Sequence, residues 1–267
     1  MMGKILSLLN EKGGVGKTAV ACQLTYFLIA QGKKILFVDI DHQGNSTKSI
    51  TLSKKALVSN TTSSRLLKEK ILNIEDAPFV LVPSDEELRK MEKQPDKHNL
   101  FATNLKAFLD KVSPRFDYII FDTNPNYDIR SVAALVVSDY VLSPIQLNQE
   151  ALDGVGSLIG SINKVKQALN HNLQLIGILP NLVEHTPFQK ANFVQLAEAF
   201  SSLLIVLDGE DKTVAYIPTT TAIAEAQASG AAIWEIKKTS AREAWRKIKP
   251  FFTEIYDRME KGGTKHA

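Results

Sequence analysis

Residues 10–18 read Asn10-Glu11-Lys12-Gly13-Gly14-Val15-Gly16-Lys17-Thr18. They follow an apolar, strand-like run, Lys4–Asn10, and open a helical pattern, Thr18–Gln31, that stops at Gly32. Glycines at 13, 14 and 16 let the backbone turn tightly and aim its N–H groups at one point. The helix dipole starting near Lys17 adds positive potential there. Such a strand–loop–helix is a cradle for phosphate oxygens, formed by Gly13, Gly14, Val15, Gly16, Lys17, Thr18 and Ala19. Lys17 is placed to reach the β- and γ-phosphates, and the Thr18 hydroxyl suits a Mg²⁺ ligand. No other segment constrains the fold as strongly.

The rest of the chain repeats the alternation. Ile35–Asp39, Phe79–Val82, Tyr118–Phe121, Tyr140–Ser143 and Leu173–Leu179 are short apolar runs with almost no polar alternation, and Val214–Ile217 is a further candidate strand. Strands of this kind are covered on both faces, as in parallel sheets. Helical patterns separate them at Asn99–Val112, Ile129–Val136, Ala151–Leu169, Pro187–Phe200 and Thr221–Ser229. Ser46–Asn73 reads as helix plus mobile loop, and Asp85–His98 as a solvated helix with a turn at Pro95. The expected fold class is α/β: a doubly wound, mainly parallel sheet flanked by helices, of the P-loop NTPase type. Functional loops then gather at the carboxyl ends of the strands.

Of 267 residues 44% are hydrophobic and 23% charged, which is ordinary globular composition. One domain is expected over residues 1–260, followed by a disordered tail at 261–267. The lone cysteine, Cys22, excludes a disulfide framework or a Cys-built metal cluster within one chain, and reads as a small buried hydrophobe. Met1–Lys4 runs into the first strand without an apolar leader, and no apolar run is long enough to span a bilayer, so a cytoplasmic location is expected.

Two acidic motifs accompany the cradle. In Val38-Asp39-Ile40-Asp41-His42-Gln43-Gly44-Asn45, two carboxylates two residues apart point the same way at a strand's carboxyl end. One can order Mg²⁺ waters and the other the attacking water; the competing use of such an aspartate is to cap the next helix. In Asp117–Thr123 an apolar strand ends in Asp122, the Walker-B arrangement, so Thr18, Asp39 and Asp122 are the candidate metal residues.

The loop departs from the ordinary G-x-x-x-x-G-K-[ST] pattern: Glu11 stands where the first glycine would fall, and Lys12 precedes the glycine pair. Together with Asp39–Asn45, Val82-Pro83-Ser84, Asp117–Pro125, Pro144, Ala151–Gly154, Gly177–Asn181, Ile217-Pro218, Glu225-Ala226 and Gly230, this resembles the ParA/MinD family of deviant Walker-A ATPases. The Asp-x-Asp-x-Gln-Gly-Asn string resembles ParA partition proteins, in the short form without an N-terminal helix-turn-helix domain. The resemblance implies ATP and Mg²⁺ as cofactors and a homodimer formed with ATP. It implies a Lys12 that reaches the partner's phosphates, an Asp41 that helps activate water, and Asn181 and Pro218 beside adenine. Lys12, Lys17 and Asp41 are thus the expected catalytic set. The chain differs from the family pattern at Ala19, where a second hydroxyl is usual, at His42 and at Asn124. His42 replaces a proline and reads as a surface variant; Asn124 also replaces a proline, which changes the stiffness of its loop.

Partition ATPases of this kind bind DNA non-specifically as ATP dimers and are stimulated by a ParB-type, centromere-binding partner. Arginines that often follow the Ile-Pro pair are missing here, where the run is Thr219-Thr220-Thr221-Ala222. The alternative basic set is Lys237, Lys238, Arg242, Arg246, Lys247 and Lys249. Residues 234–267 hold nine Lys and Arg against five Asp and Glu, a face suited to phosphate contacts without sequence reading. Trp245, Ile248, Phe251, Phe252 and Ile255 form an apolar stripe assigned to core packing rather than a membrane, and Pro250 is expected to interrupt that helix. The leading expectation is an ATPase of plasmid or chromosome segregation, nucleoid-associated and without a membrane partner. Positioning of a protein cargo, such as a chemotaxis cluster, is the alternative; a metabolic synthetase is a third class.

Overall fold

A computed structural model describes residues 2–70, 72–94, 97–207 and 213–262. Seven strands form one parallel sheet: β1 (Lys4–Leu8), β2 (Ile35–Asp39), β3 (Leu57–Val58), β4 (Phe79–Val82), β5 (Tyr118–Asp122), β6 (Tyr140–Ile145) and β7 (Gln174–Pro180). Their order is β3-β4-β2-β5-β1-β6-β7. The helices are α1 (Lys17–Ala30), α2 (Asn45–Ser53), α3 (Ser63–Lys68), α4 (Glu87–Met91), α5 (His98–Val112), α6 (Ile129–Val137), α7 (Gln149–Ala168), α8 (Pro187–Phe200), α9 (Thr221–Ser229) and α10 (Thr239–Glu260).

Alternate residues of the central strands enter two separate cores. Leu6, Leu8, Ile35, Phe37, Tyr118 and Ile120 pack with α1, α9 and α10 on one face. Ile5, Leu36, Val38, Ile119 and Phe121 pack with α3, α5 and α6 on the other. Both sides of each strand are dry, which is why these strands lack polar alternation. Helix α1 lies in the first core with most of its surface buried, and Cys22 is fully enclosed there. Burial pushes the Cys22 thiol well up, so it behaves as a small hydrophobe, as expected.

Several local expectations need correction. Val214–Ile217 does not join the main sheet. Val214 belongs to a two-residue strand, β9 (Thr213–Val214), antiparallel to β8 (Val206–Leu207). Ala215 and Ile217 donate to single carbonyls of Ile205 and Pro180. The 46–73 segment contains α2, the edge strand β3 and α3 rather than one helix and a loop. In 85–98 the helix is the short α4, while the expected turn at Pro95 lies outside the described residues, as do residues 263–267 of the expected tail.

Pro250 does not interrupt the last helix, because α10 runs unbroken through it. The missing N–H strands only the Arg246 carbonyl, and both residues are on the exposed face, where water serves that carbonyl. The apolar stripe is core, as expected: Trp245 and Phe252 pack on Phe27 of α1, and Trp234 lies 4.4 Å from Trp245 between ring centroids. Among the described residues no helix is long and apolar enough to cross a membrane.

Candidate nucleotide site

The carboxyl ends of β1, β2 and β5 converge on the loop 10–16. Gly14 and Gly16 have φ of 76° and 84°, values that only glycine adopts without strain, and they turn the chain into α1. The loop is braced from behind. Asn10 Oδ1 accepts the Lys12 N–H at 2.8 Å, while Asn10 Nδ2 donates to the Pro144 carbonyl at 2.8 Å. Asn181, at the end of β7, donates to the Val15 carbonyl at 2.7 Å and is itself buried. A Cβ at Gly16 would overlap the Asn181 amide. Lys17 is buried, and its ammonium donates to the carbonyls of Asn10 (3.1 Å) and Lys12 (3.2 Å). Burial lowers its pKa, opposed by the charges of Asp122 and Asp41.

These residues wall a cleft of about 720 Å³. Gly13–Ala19 form one side, Asp41, Gln43, Asn45, Lys48 and Ser49 a second, and Gln227 of α9 part of a third. Ala19 also borders a small apolar space with Val20, Asn181 and Ile217. Pro218 lies one layer out, paired in extended conformation with Val183 just beyond β7.

The two strand-end aspartates face each other in register across β2 and β5, yet they differ in what they hold. Asp39 Oδ2 accepts the Thr47 N–H (2.9 Å) and Thr47 hydroxyl (2.6 Å), and Oδ1 accepts the Asp41 N–H (3.1 Å). It therefore braces the first turn of α2, the competing use of an aspartate here. Both Asp122 oxygens are buried without a hydrogen-bond partner, as is the Ser46 hydroxyl. Burial raises Asp122 to about 7. The negative charge of Asp39 adds to the rise, and the nearby Thr18 and Ser46 hydroxyls and Lys17 ammonium oppose it. Burial also raises Asp39 to about 6, against the bonds from Thr47.

An unpartnered buried carboxylate beside the Thr18 hydroxyl is a donor set that fits Mg²⁺. This ion takes one or two protein oxygens and completes its octahedron with phosphate and water. Among the described residues no group of three or more His, Cys, Asp or Glu side chains could hold a metal alone.

Lys12 is not in this cleft. Its ammonium pairs with Glu150 Oε2 at 3.2 Å, on the first turn of α7. Asp41 is almost buried: its Oδ1 accepts the Gln43 N–H at 3.0 Å, and its carbonyl accepts the Ser84 hydroxyl at 2.6 Å. His42 is not a surface variant. Its side chain is only 20% exposed and contacts Asp41 and Arg130. Asn124 is buried, donating to the Asn126 carbonyl and Asp128 Oδ2 and accepting from Ser131 Oγ. Side-chain bonds thus stiffen that loop where a proline ring would. Sequence reasoning missed Asn10, Ser46, Thr47 and Arg130, and quoted Ser84 within the family pattern without giving it a role. Of the missed residues only Asn10, at the mouth of the loop, sat where the motif could have pointed to it.

A family model described as an AAA domain matches residues 3–175. Protein IncC of Escherichia coli is 30% identical over 96% of this chain and 70% of its own length. The chromosome partitioning protein ParA of Myxococcus xanthus is 32% identical over 67% of this chain and 64% of its own. The chain belongs to the ParA-type ATPase family. A ParA-type chain of this kind shares its fold with metabolic enzymes too. Cobyrinic acid a,c-diamide synthase from Mycobacterium smegmatis, solved with ADP and magnesium, superposes with a TM-score of 0.72 over 98% of this chain and 97% of the other, at 23% identity. Fold likeness at that identity does not choose between partition and synthesis.

The candidate DNA residues Lys237, Lys238, Arg242, Arg246, Lys247 and Lys249 are all exposed. Arg242, Arg246 and Lys249, spaced i, i+4, i+7, form one stripe of α10. Lys247 points away from it, and Lys238 is paired with Glu225.

Proposed function

We propose that this chain is an ATP-hydrolysing DNA-partition switch that dimerises with ATP, binds DNA non-specifically in that state, and is returned by a ParB-type partner that stimulates hydrolysis. The observation that carries the proposal is the division of labour between the two loop lysines. Lys17 is committed to its own phosphate cradle. Lys12, on the same loop, is turned out of that cleft onto Glu150, an exposed carboxylate. A lysine outside its own cleft is available to another protomer's, as an arginine finger supplied in trans would be.

In this reading Gly13–Gly16 and Ala19 hold the phosphates through backbone N–H groups, and Asn181 fixes the loop that presents them, with Pro218 in the layer behind. Asp41 orients the attacking water and receives its proton. Thr18 and Asp122 would hold Mg²⁺, with Asp39 supporting indirectly through Thr47; when bound, the cation would neutralise negative charge on the phosphates. Arg242, Arg246 and Lys249, flanked by Lys237, Lys238 and Lys247, contact DNA phosphates. Residues 1–260 act as one P-loop ATPase domain, in the cytoplasm on the nucleoid.

The test is mixing. Lys12→Ala and Asp41→Asn proteins should each be inactive, yet their mixture should recover roughly a quarter of wild-type turnover, because each mixed dimer holds one complete site. Full hydrolysis by Lys12→Ala alone would remove the case for a lysine in trans.

A further inference from the structure

Arg130 is the largest fully buried side chain of the molecule's described residues, and the phosphate cleft does not use it. It sits in the first turn of α6, just after Asp128, the residue that caps that helix. Its guanidinium meets three separate segments. Nε donates to Asp128 Oδ2 at 3.1 Å, and Nη2 pairs with the same carboxylate. Nη1 donates to the Leu88 carbonyl of α4 at 3.2 Å and reaches His42 Nδ1 at 3.4 Å. Glu92 lies 3.7 Å from Nη2 and accepts from Asn126.

A guanidinium has only donors, so in this contact His42 Nδ1 is the acceptor. His42 follows Asp41 directly. Asp128 Oδ2 also accepts from Asn124, two residues beyond Asp122. One cation therefore joins the loop that carries Asp41 to the loop that follows Asp122, and does so in a dry site where each bond is strong.

We infer that Arg130 is a positioning residue: through His42 it locks the Asp41 loop to the Asp122 loop, so that the two sides of the phosphate cleft take up their hydrolytic arrangement together. The inference rests on the hydrolytic reading of the cleft. His42 is the chain's own contribution, since a proline ring at 42 would offer no acceptor.

The experiment is a double-substitution cycle with two readouts. Arg130→Lys keeps the buried charge but loses the planar fork; His42→Ala removes the acceptor from a partly exposed position. Each should lower kcat for ATP at least roughly tenfold while KM stays within about twofold, and the double variant should be no worse than Arg130→Lys. Amide hydrogen exchange reads the coupling without turnover. His42→Ala should speed exchange of residues 41–44 at least about tenfold and leave 122–130 protected, whereas Arg130→Lys should speed both. Multiplicative losses in kcat, or unchanged exchange at 41–44 in His42→Ala, would overturn the inference. A wild-type protein that hydrolyses no ATP would instead overturn the functional reading, with the exchange data still deciding the coupling.

Discussion

Gly16 is under two demands at once: a left-handed backbone and the absence of a Cβ in front of Asn181. Gly16→Ala should cost about 1–3 kcal/mol in strain and displace the Asn181 amide from Val15. Thermal unfolding reads the first effect and weakened nucleotide binding the second. Asp122 gives a pH prediction. Its carboxyl, raised to about 7 from an ordinary 3.8, keeps a proton in the folded state that the unfolded chain has lost. Its contribution to stability is therefore fully present below 3.8 and disappears as pH rises through about 7. Without nucleotide and metal, Asp122→Asn should be more stable than the wild type at pH 8 and show a flatter pH dependence; a less stable variant at pH 8 would contradict the assigned burial. At this scale the cradle was legible because Gly, Lys and Thr at fixed spacing have few other uses. The state of His42 was not, because its partner Arg130 lies 88 residues away.

Among the elements, the uniformly apolar strands were legible because both faces of a parallel strand are covered, leaving no other pattern to compete. β3, β8 and β9 were not, being two residues each with half-exposed or exposed side chains, so that pairing rather than pattern defines them. Val214–Ile217 misled for a related reason: it is apolar because it lies against the end of β7 and α10, not because it is a sheet strand. Pro250 misled because a helix interior tolerates proline when the lost bond faces water. Helix α10 therefore presents a core face and a solvent face along its whole length. Reversing Arg242, Arg246 and Lys249 together to Glu should abolish DNA binding and leave the thermal midpoint within a few degrees, because all three are exposed. Retained DNA binding, measured by fluorescence anisotropy, would move the DNA face elsewhere.

At the scale of the whole molecule, the sequence placed the chain among doubly wound P-loop proteins, and kinship with IncC and ParA supports the partition reading over the metabolic one. What the single chain does not contain is the second copy that would receive Lys12. In the proposed cycle ATP, by joining two copies, switches DNA binding on. The direct measurement is binding to non-specific duplex DNA with ATP, with ADP and without nucleotide, over a range of salt. Tight binding is expected with ATP alone, with a log–log salt slope of roughly −0.9 for each phosphate contacted. Equal affinity in all three nucleotide states would contradict it.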